Sequence, residues 1–308
     1  MSGSVHVWLI QPCRPASPEG LRAAVARLAA EPGALPWWLA WLGPLGARLW
    51  TWWWAPRLLI GPTAGPDDEQ ASRRARDLER LLGDGWSVRA VHDQGAERVD
   101  LAASHLSHGA PVALVELCPL GGPAARALLG EARIAAIARS ARLLELPPLH
   151  TLDGWREAVA EALRAGVADL ARGARYEVLF CALGVTGSGP ELTPALDLVA
   201  DVVARSGLAR PHHIAFVSAP GLRSPTLDAA LLALHQRRPE AVVVVPLNAP
   251  FGAEPEPMLS ALRIGLPGVD IRLAPEPYPR ATSTRALCEL LRAAAAAPAS
   301  ASAPARSA

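Results

Sequence analysis

Short apolar runs alternate with longer helical patterns along almost the whole of this 308-residue chain, and that alternation restricts it to a parallel-sheet α/β architecture. In the first half the runs predict strands near 5–10, 57–60, 87–91 and 111–117, with helices near 18–30, 67–82, 122–138 and 153–165. The helix at 67–82 opens Asp67-Asp68-Glu69 after Pro66, which puts acid in its first turn, where the helix dipole favours it. The second half repeats the plan. Strands near 176–181, 213–217, 241–245 and 270–273 alternate with helices near 191–206, 225–237, 258–264 and 281–294.

Residues 112–119, followed by a Gly/Pro turn and a helix, match residues 241–246 followed by another such turn and helix. Each copy then has a Pro-rich link, at 146–149 and 274–279, leading to a last amphipathic helix. The correspondence predicts two similar Rossmann-like domains with parallel sheets and a cleft between them. The first spans 1–170, the second 171–294, and the Ala/Ser/Pro stretch 295–308 reads as a disordered tail.

With 51% apolar residues the chain can bury a substantial core, and a net charge of +1 offers nucleic acid no broad attraction. All 30 basic residues are arginine and Asn248 is the only asparagine, a bias that weakens propensity as a guide. The N-terminus lacks a basic n-region and a small-residue cleavage site, so the expected location is cytoplasmic. Cys13, Cys118, Cys181 and Cys288 lie far apart with no Cys-x-x-Cys spacing, which indicates reduced thiols rather than a zinc ribbon or disulfide framework.

Seven of the ten tryptophans, Trp37, Trp38, Trp41, Trp50, Trp52, Trp53 and Trp54, crowd into eighteen residues. Pro36, Gly43, Pro44, Gly46 and Arg48 interrupt the run, so it falls short of the ~20 uninterrupted apolar residues that a membrane span requires. Three readings remain for the segment 34–56: core burial, a patch at lipid headgroup depth, and a hydrophobic lip over a flat aromatic ligand.

The segment Tyr176-Glu177-Val178-Leu179-Phe180-Cys181-Ala182-Leu183-Gly184 resembles the Leu-Phe-Ser-x-His-Gly active-site strand of ferrochelatases, with Leu183 where that family carries its catalytic histidine. Other likenesses follow in order. Residues 5–22, with Ser17-Pro18-Glu19, are similar to the family's opening strand, loop and helix, although its Asn-Leu-Gly-Thr-Pro loop has become Leu9-Ile10-Gln11-Pro12-Cys13. Val115-Glu116-Leu117-Cys118-Pro119 resembles Leu-Pro-Leu-Tyr-Pro, and the Ser/Thr-rich loop expected next is replaced by Gly121-Gly122-Pro123-Ala124-Ala125. Residues 215–221 are similar to Phe-Gln-Ser-Arg-x-Gly, with Ala219 for the arginine. Residues 242–254 look like Val-Val-Pro-Gly-Phe-Val-Ser-Asp-x-Leu-Glu, and counting from Pro246 sets Glu254 on the catalytic glutamate. Pro255 and Pro257 flank Glu256 and argue against a continuous helix there.

The resemblance implies a protein of haem biosynthesis whose family reaction inserts ferrous iron into a porphyrin, with the metal and the porphyrin as substrates and no further cofactor. It implies Glu254 as proton acceptor and metal escort. It implies porphyrin contacts at Pro12, Cys13, Trp37, Trp38, Trp41, Pro119, Leu183 and Gly184. An aliphatic Leu183 can neither bind metal nor take a proton, so a non-catalytic porphyrin or haem binder stands beside the enzyme reading, and a membrane-surface interaction protein beside both. Cys13, Cys118 and Cys181 fall at or beyond predicted strand ends, and Cys118 and Cys181 are candidate soft-metal ligands if they converge; the alternative is burial as small apolar residues. His212 and His213 lie at the amino end of their strand, away from the carboxyl ends where open α/β sheets bind ligands. His105 and His108 have helical i, i+3 spacing without a third ligand, and His92, His150 and His235 stand alone.

Overall fold

The computed structural model describes residues 4–10, 66–92, 98–117, 123–171, 173–183, 192–208, 210–217, 227–247, 256–278 and 280–297, with isolated positions at 41, 42, 45, 46, 49 and 120. The expected helix at 18–30, the strand at 57–60, most of the Trp-rich segment and the end of the chain from 298 lie outside the described residues. The first half comprises β1 (Val5–Ile10), α1 (Pro66–Leu82), β2 (Trp86–Val91), α2 (Val99–Ser104), β3 (Pro111–Glu116), α3 (Pro123–Ala138), β4 (Arg142–Leu144) and α4 (Asp153–Val167). The second comprises β5 (Tyr176–Leu183), α5 (Leu192–Ser206), β6 (His212–Val217), α6 (Leu227–Arg237), β7 (Ala241–Pro246), α7 (Glu256–Gly265), β8 (Asp270–Leu273) and α8 (Ala281–Ala296).

The strands form two parallel four-stranded sheets of the same order, β2-β1-β3-β4 and β6-β5-β7-β8. The duplication extends to the turns: α1 ends on Gly83 at φ 86° and α5 on Gly207 at φ 68°, the left-handed position where glycine closes a helix without steric cost. Backbone hydrogen bonds fix which residues are equivalent. Leu117 N donates to Ile10 O and Leu247 N to Cys181 O, both at 2.9 Å. Glu116 therefore occupies in the first sheet the place of Pro246 in the second.

Five layers follow from which face of each sheet is apolar. One outer cluster joins Trp8, Ile10 and Val112 of the first sheet to α2 and α3 through Ala102, Leu128 and Ala132. The opposite outer cluster joins Leu179, Cys181 and Val244 to Leu234 of α6 and Leu262 of α7. Between the sheets lies one continuous core, in which Val7, Leu9, Val178, Phe180 and Val243 meet side chains of α1, α4, α5 and α8. Each fully buried large apolar side chain there contributes roughly 1.5–3 kcal/mol relative to exposure.

The helix α4 belongs by sequence to the first half, yet it packs on β7, α5 and α8. Two glycines permit this. A Cβ on Gly154 would stand 2.4 Å from Ala286 Cβ of α8, and one on Gly166 would stand 2.9 Å from Val243 Cγ1 and 3.0 Å from Ala274 Cβ. Trp155 stacks on Tyr278 with ring centroids 6.4 Å apart. Polar pairs finish the junction: the buried Arg74 guanidinium of α1 donates to Glu276 and lies 5.9 Å from the Tyr278 ring centre, Arg205 of α5 donates to Asp153 at 2.7 Å, and Thr282 donates to Glu161 at 2.7 Å.

Three local expectations change. The strand β4 was not anticipated, and its three half-buried residues are too few to show a period. A short helix, α2, also appears, but it ends at Ser104. His105 is its cap and His108 enters the turn around Gly109, ahead of Pro111, so the two histidines do not share a helical face. Helix α7 starts at Glu256 and includes Pro257, since a proline in the first turn removes no intrahelical bond.

Candidate functional site

The carboxyl edge of the first sheet carries the chemistry found among the described residues. Val112, Leu114 and Glu116 alternate onto the outer face of β3, because side chains two apart share a face. Glu116 ends that row at the strand terminus. Its Oε1 is buried and has no hydrogen-bond partner among the described residues. Burial pushes the carboxyl up to about 7, with the Arg126 guanidinium opposing that shift and losing to it. A carboxyl poised there can give or take a proton near neutral pH.

Beside Glu116 a cavity of about 140 Å³ opens between α3 and the chain leaving β4, lined by Leu114, Leu129, Leu144, Leu146 and Pro148 among others. Arg133 and Glu145 also line it, paired at 3.7 Å and each more than half exposed, so their ion pair marks the solvent side. At the end of β2 the buried His92 adjoins a second cavity with Arg98, Asp100 and Glu131. Val91 and Glu116 are both in register with Ile10, which sets their Cα atoms roughly 10 Å apart. Glu116 appeared in the sequence only as part of a motif, and its departure from that motif's proline was the available signal.

The anticipated site residues divide. Leu183 is the last residue of β5, paired with Val217. Cys181 lies two residues inside that strand, fully buried in the outer core of the second sheet. Burial pushes its thiol far up, which disfavours the thiolate that a soft metal needs and suits the small apolar role. Trp41 is 86% exposed, with Leu45 and Leu49 also exposed. Pro12, Cys13, Trp37, Trp38, Cys118, Pro119, Gly184 and Glu254 lie outside the described residues. Among the described residues no group of three His, Cys, Asp or Glu side chains is placed to hold a metal ion. His213 sits at the amino end of β6, where its Nε2 meets Glu177 Oε2 at 2.5 Å, with Arg237 on the other carboxylate oxygen at 3.6 Å.

No protein-family model matches the sequence, and no curated protein does. Solved structures do resemble the chain. CbiX, the terminal enzyme for biosynthesis of sirohaem in denitrifying bacteria, is 18% identical and superposes with a TM-score of 0.53, covering 76% of this chain and 95% of its own. The fold is chelatase-like. SirB from Bacillus subtilis with Fe3+ is 16% identical, with a TM-score of 0.48 over 75% of this chain and 92% of its own. A cobalt complex of the sirohydrochlorin chelatase SirB from Bacillus subtilis subspecies spizizenii, also 16% identical, has a TM-score of 0.49 over 76% and 92%. Among the described residues no helix is long and apolar enough to cross a membrane.

Proposed function

We propose that this protein is a chelatase of tetrapyrrole metabolism, which inserts ferrous iron into a porphyrin or into sirohydrochlorin. One observation carries the reading: two parallel sheets of identical order, facing a common helical layer, in a fold that is similar to CbiX along 95% of that chain. Parallel α/β sheets bind ligands beyond their carboxyl ends. In this reading Glu254 accepts pyrrole protons and escorts the cation, Pro12, Pro119, Leu183 and Gly184 contact the macrocycle, and Trp37, Trp38 and Trp41 form the lip of its slot. The exposed Trp41, with Leu45 and Leu49, also suits peripheral contact with a membrane that delivers or receives a greasy macrocycle.

A second reading has its own observation. Leu183, at the carboxyl end of β5, offers no base where the ferrochelatase strand carries histidine. A protein that binds a tetrapyrrole or haem without inserting metal fits that replacement. Anaerobic incubation of the purified chain with ferrous iron and protoporphyrin, coproporphyrin or sirohydrochlorin separates the two. Metallated product forming faster than in buffer supports the chelatase. Tryptophan quenching by the macrocycle without turnover supports the binder. Neither signal with any of the three macrocycles refutes both.

A further inference from the structure

Glu116 is a departure twice over. The ferrochelatase motif that residues 115–119 resemble has proline at this place, and so does the equivalent position of this chain's own second half, Pro246. A proline at a strand end buries no charge, whereas Glu116 holds a buried oxygen without a hydrogen-bond partner among the described residues. Beside it lies a cavity of about 140 Å³, close to the ~150 Å³ apolar cavity known to accept a benzene-sized ring. The lining is mostly leucine and proline. Among the described residues Glu116 and the mouth residue Glu145 are the only carboxylates in the lining, too few oxygens to enclose a divalent cation. A purely apolar ring would leave the carboxylate oxygen unsatisfied.

We propose that this cavity binds a compact, ring-sized amine, whose protonated nitrogen donates to the Glu116 carboxylate while its carbon skeleton lies against Leu114, Leu129 and Leu146. The proposal does not rest on the tetrapyrrole reading and stands whether or not that reading holds. The charged groups around it are Arg126 and Arg133 from α3 and Glu145 from the chain after β4. Arg133 and Glu145 pair at 3.7 Å on the solvent side, so Glu116 is the carboxylate inside the cavity that faces an incoming cation.

Pyrrolidine and tetrahydrofuran make the test, since they share ring size and differ in that only pyrrolidine donates hydrogen bonds and carries charge. Calorimetric titration of the full chain at pH 8 is expected to show pyrrolidine binding at least tenfold more tightly than tetrahydrofuran. Its affinity is expected to fall at least tenfold as the pH drops from 8 to 5.5, while Glu116 takes up its proton. The variant Glu116→Gln, its folding checked by circular dichroism, is expected to lose the preference for pyrrolidine. Leu129→Trp, which fills the cavity from α3, is expected to bind neither ring. Equal affinity of the two rings at pH 8, no measurable pyrrolidine binding, wild-type binding of pyrrolidine by Glu116→Gln, or retained binding by Leu129→Trp would each overturn the proposal.

Discussion

Replacing Gly154 with alanine sets helix propensity against packing, and the structure decides which wins. Alanine in place of a helical glycine gains at most about 1 kcal/mol, and less near the helix start where Gly154 sits. The new Cβ would stand 2.4 Å from Ala286 Cβ, whereas carbon atoms in contact prefer about 3.5–4.0 Å. Ala286 has no rotamer to turn away, so α4 and α8 have to separate by roughly 1 Å, and such overpacking costs about 1–3 kcal/mol. The expected net loss is about 1 kcal/mol or more, or roughly 2 °C in Tm per kcal/mol for a chain of this size. Gly130 in α3 is the control, because a Cβ there meets nothing within 4 Å. Gly130→Ala is expected to stabilise by up to about 1 kcal/mol. Urea denaturation of both variants, together with Gly154→Ala in an Ala286→Gly background, reads the coupling directly. A Gly154→Ala protein as stable as wild type, or a loss undiminished when Ala286 is glycine, would refute the close crossing of α4 and α8.

The remaining expectations concern charge, thiols and turnover. Because Glu116 titrates near 7 when folded rather than at its ordinary 4.5, its contribution to stability is complete below pH 4.5 and disappears as the pH rises through 7. At 1.36 kcal/mol per pH unit, Glu116→Gln should gain about 3 kcal/mol on wild type between pH 4 and pH 8, and parallel stability curves would contradict this. Glu276→Ala leaves the buried Arg74 without its carboxylate and should cost about 3 kcal/mol in chemical denaturation; a loss below about 0.5 kcal/mol would show the pair to be incidental. Peptide mapping after brief treatment with a thiol reagent should find Cys181 unmodified in the native chain and modified in urea, since its thiol is both buried and hard to ionise. On the proposed chelatase reading, Leu183→His should raise the anaerobic rate of ferrous insertion at least tenfold over wild type, and an unchanged rate would count against the missing imidazole as the cause of weak turnover.

Most of the architecture was legible because β1, β3, β5 and β7 are long apolar runs whose burial needs no knowledge of their neighbours. The strand β4 escaped because three half-buried residues show no period, and α2 because six residues give less than two turns of pattern. The sequence pattern ends β5 near 181, two residues short of Leu183, so Cys181 reads as a strand terminus although it lies inside the outer core. Glu116 illustrates a different limit. Its neighbours in sequence say only that it ends a strand; Leu129 and the residues around 143–149, with which it shares its cavity, come close only when α3 folds back over the sheet. The motif likeness includes the position without distinguishing it, and the charge state follows from tertiary burial.

The passage of α4 beneath the second sheet bears on how the chain is made. Trp155, Val159 and Leu163 leave the ribosome well before β7, α5 and α8, the elements that cover them, have been synthesised. At ~5–20 residues per second, nascent chains wait several seconds or longer with that greasy helix face open to chaperones or to other copies. A stop codon placed after α4 would release a fragment unable to hide those side chains, so the first half with α4 attached is a poor unit for expression.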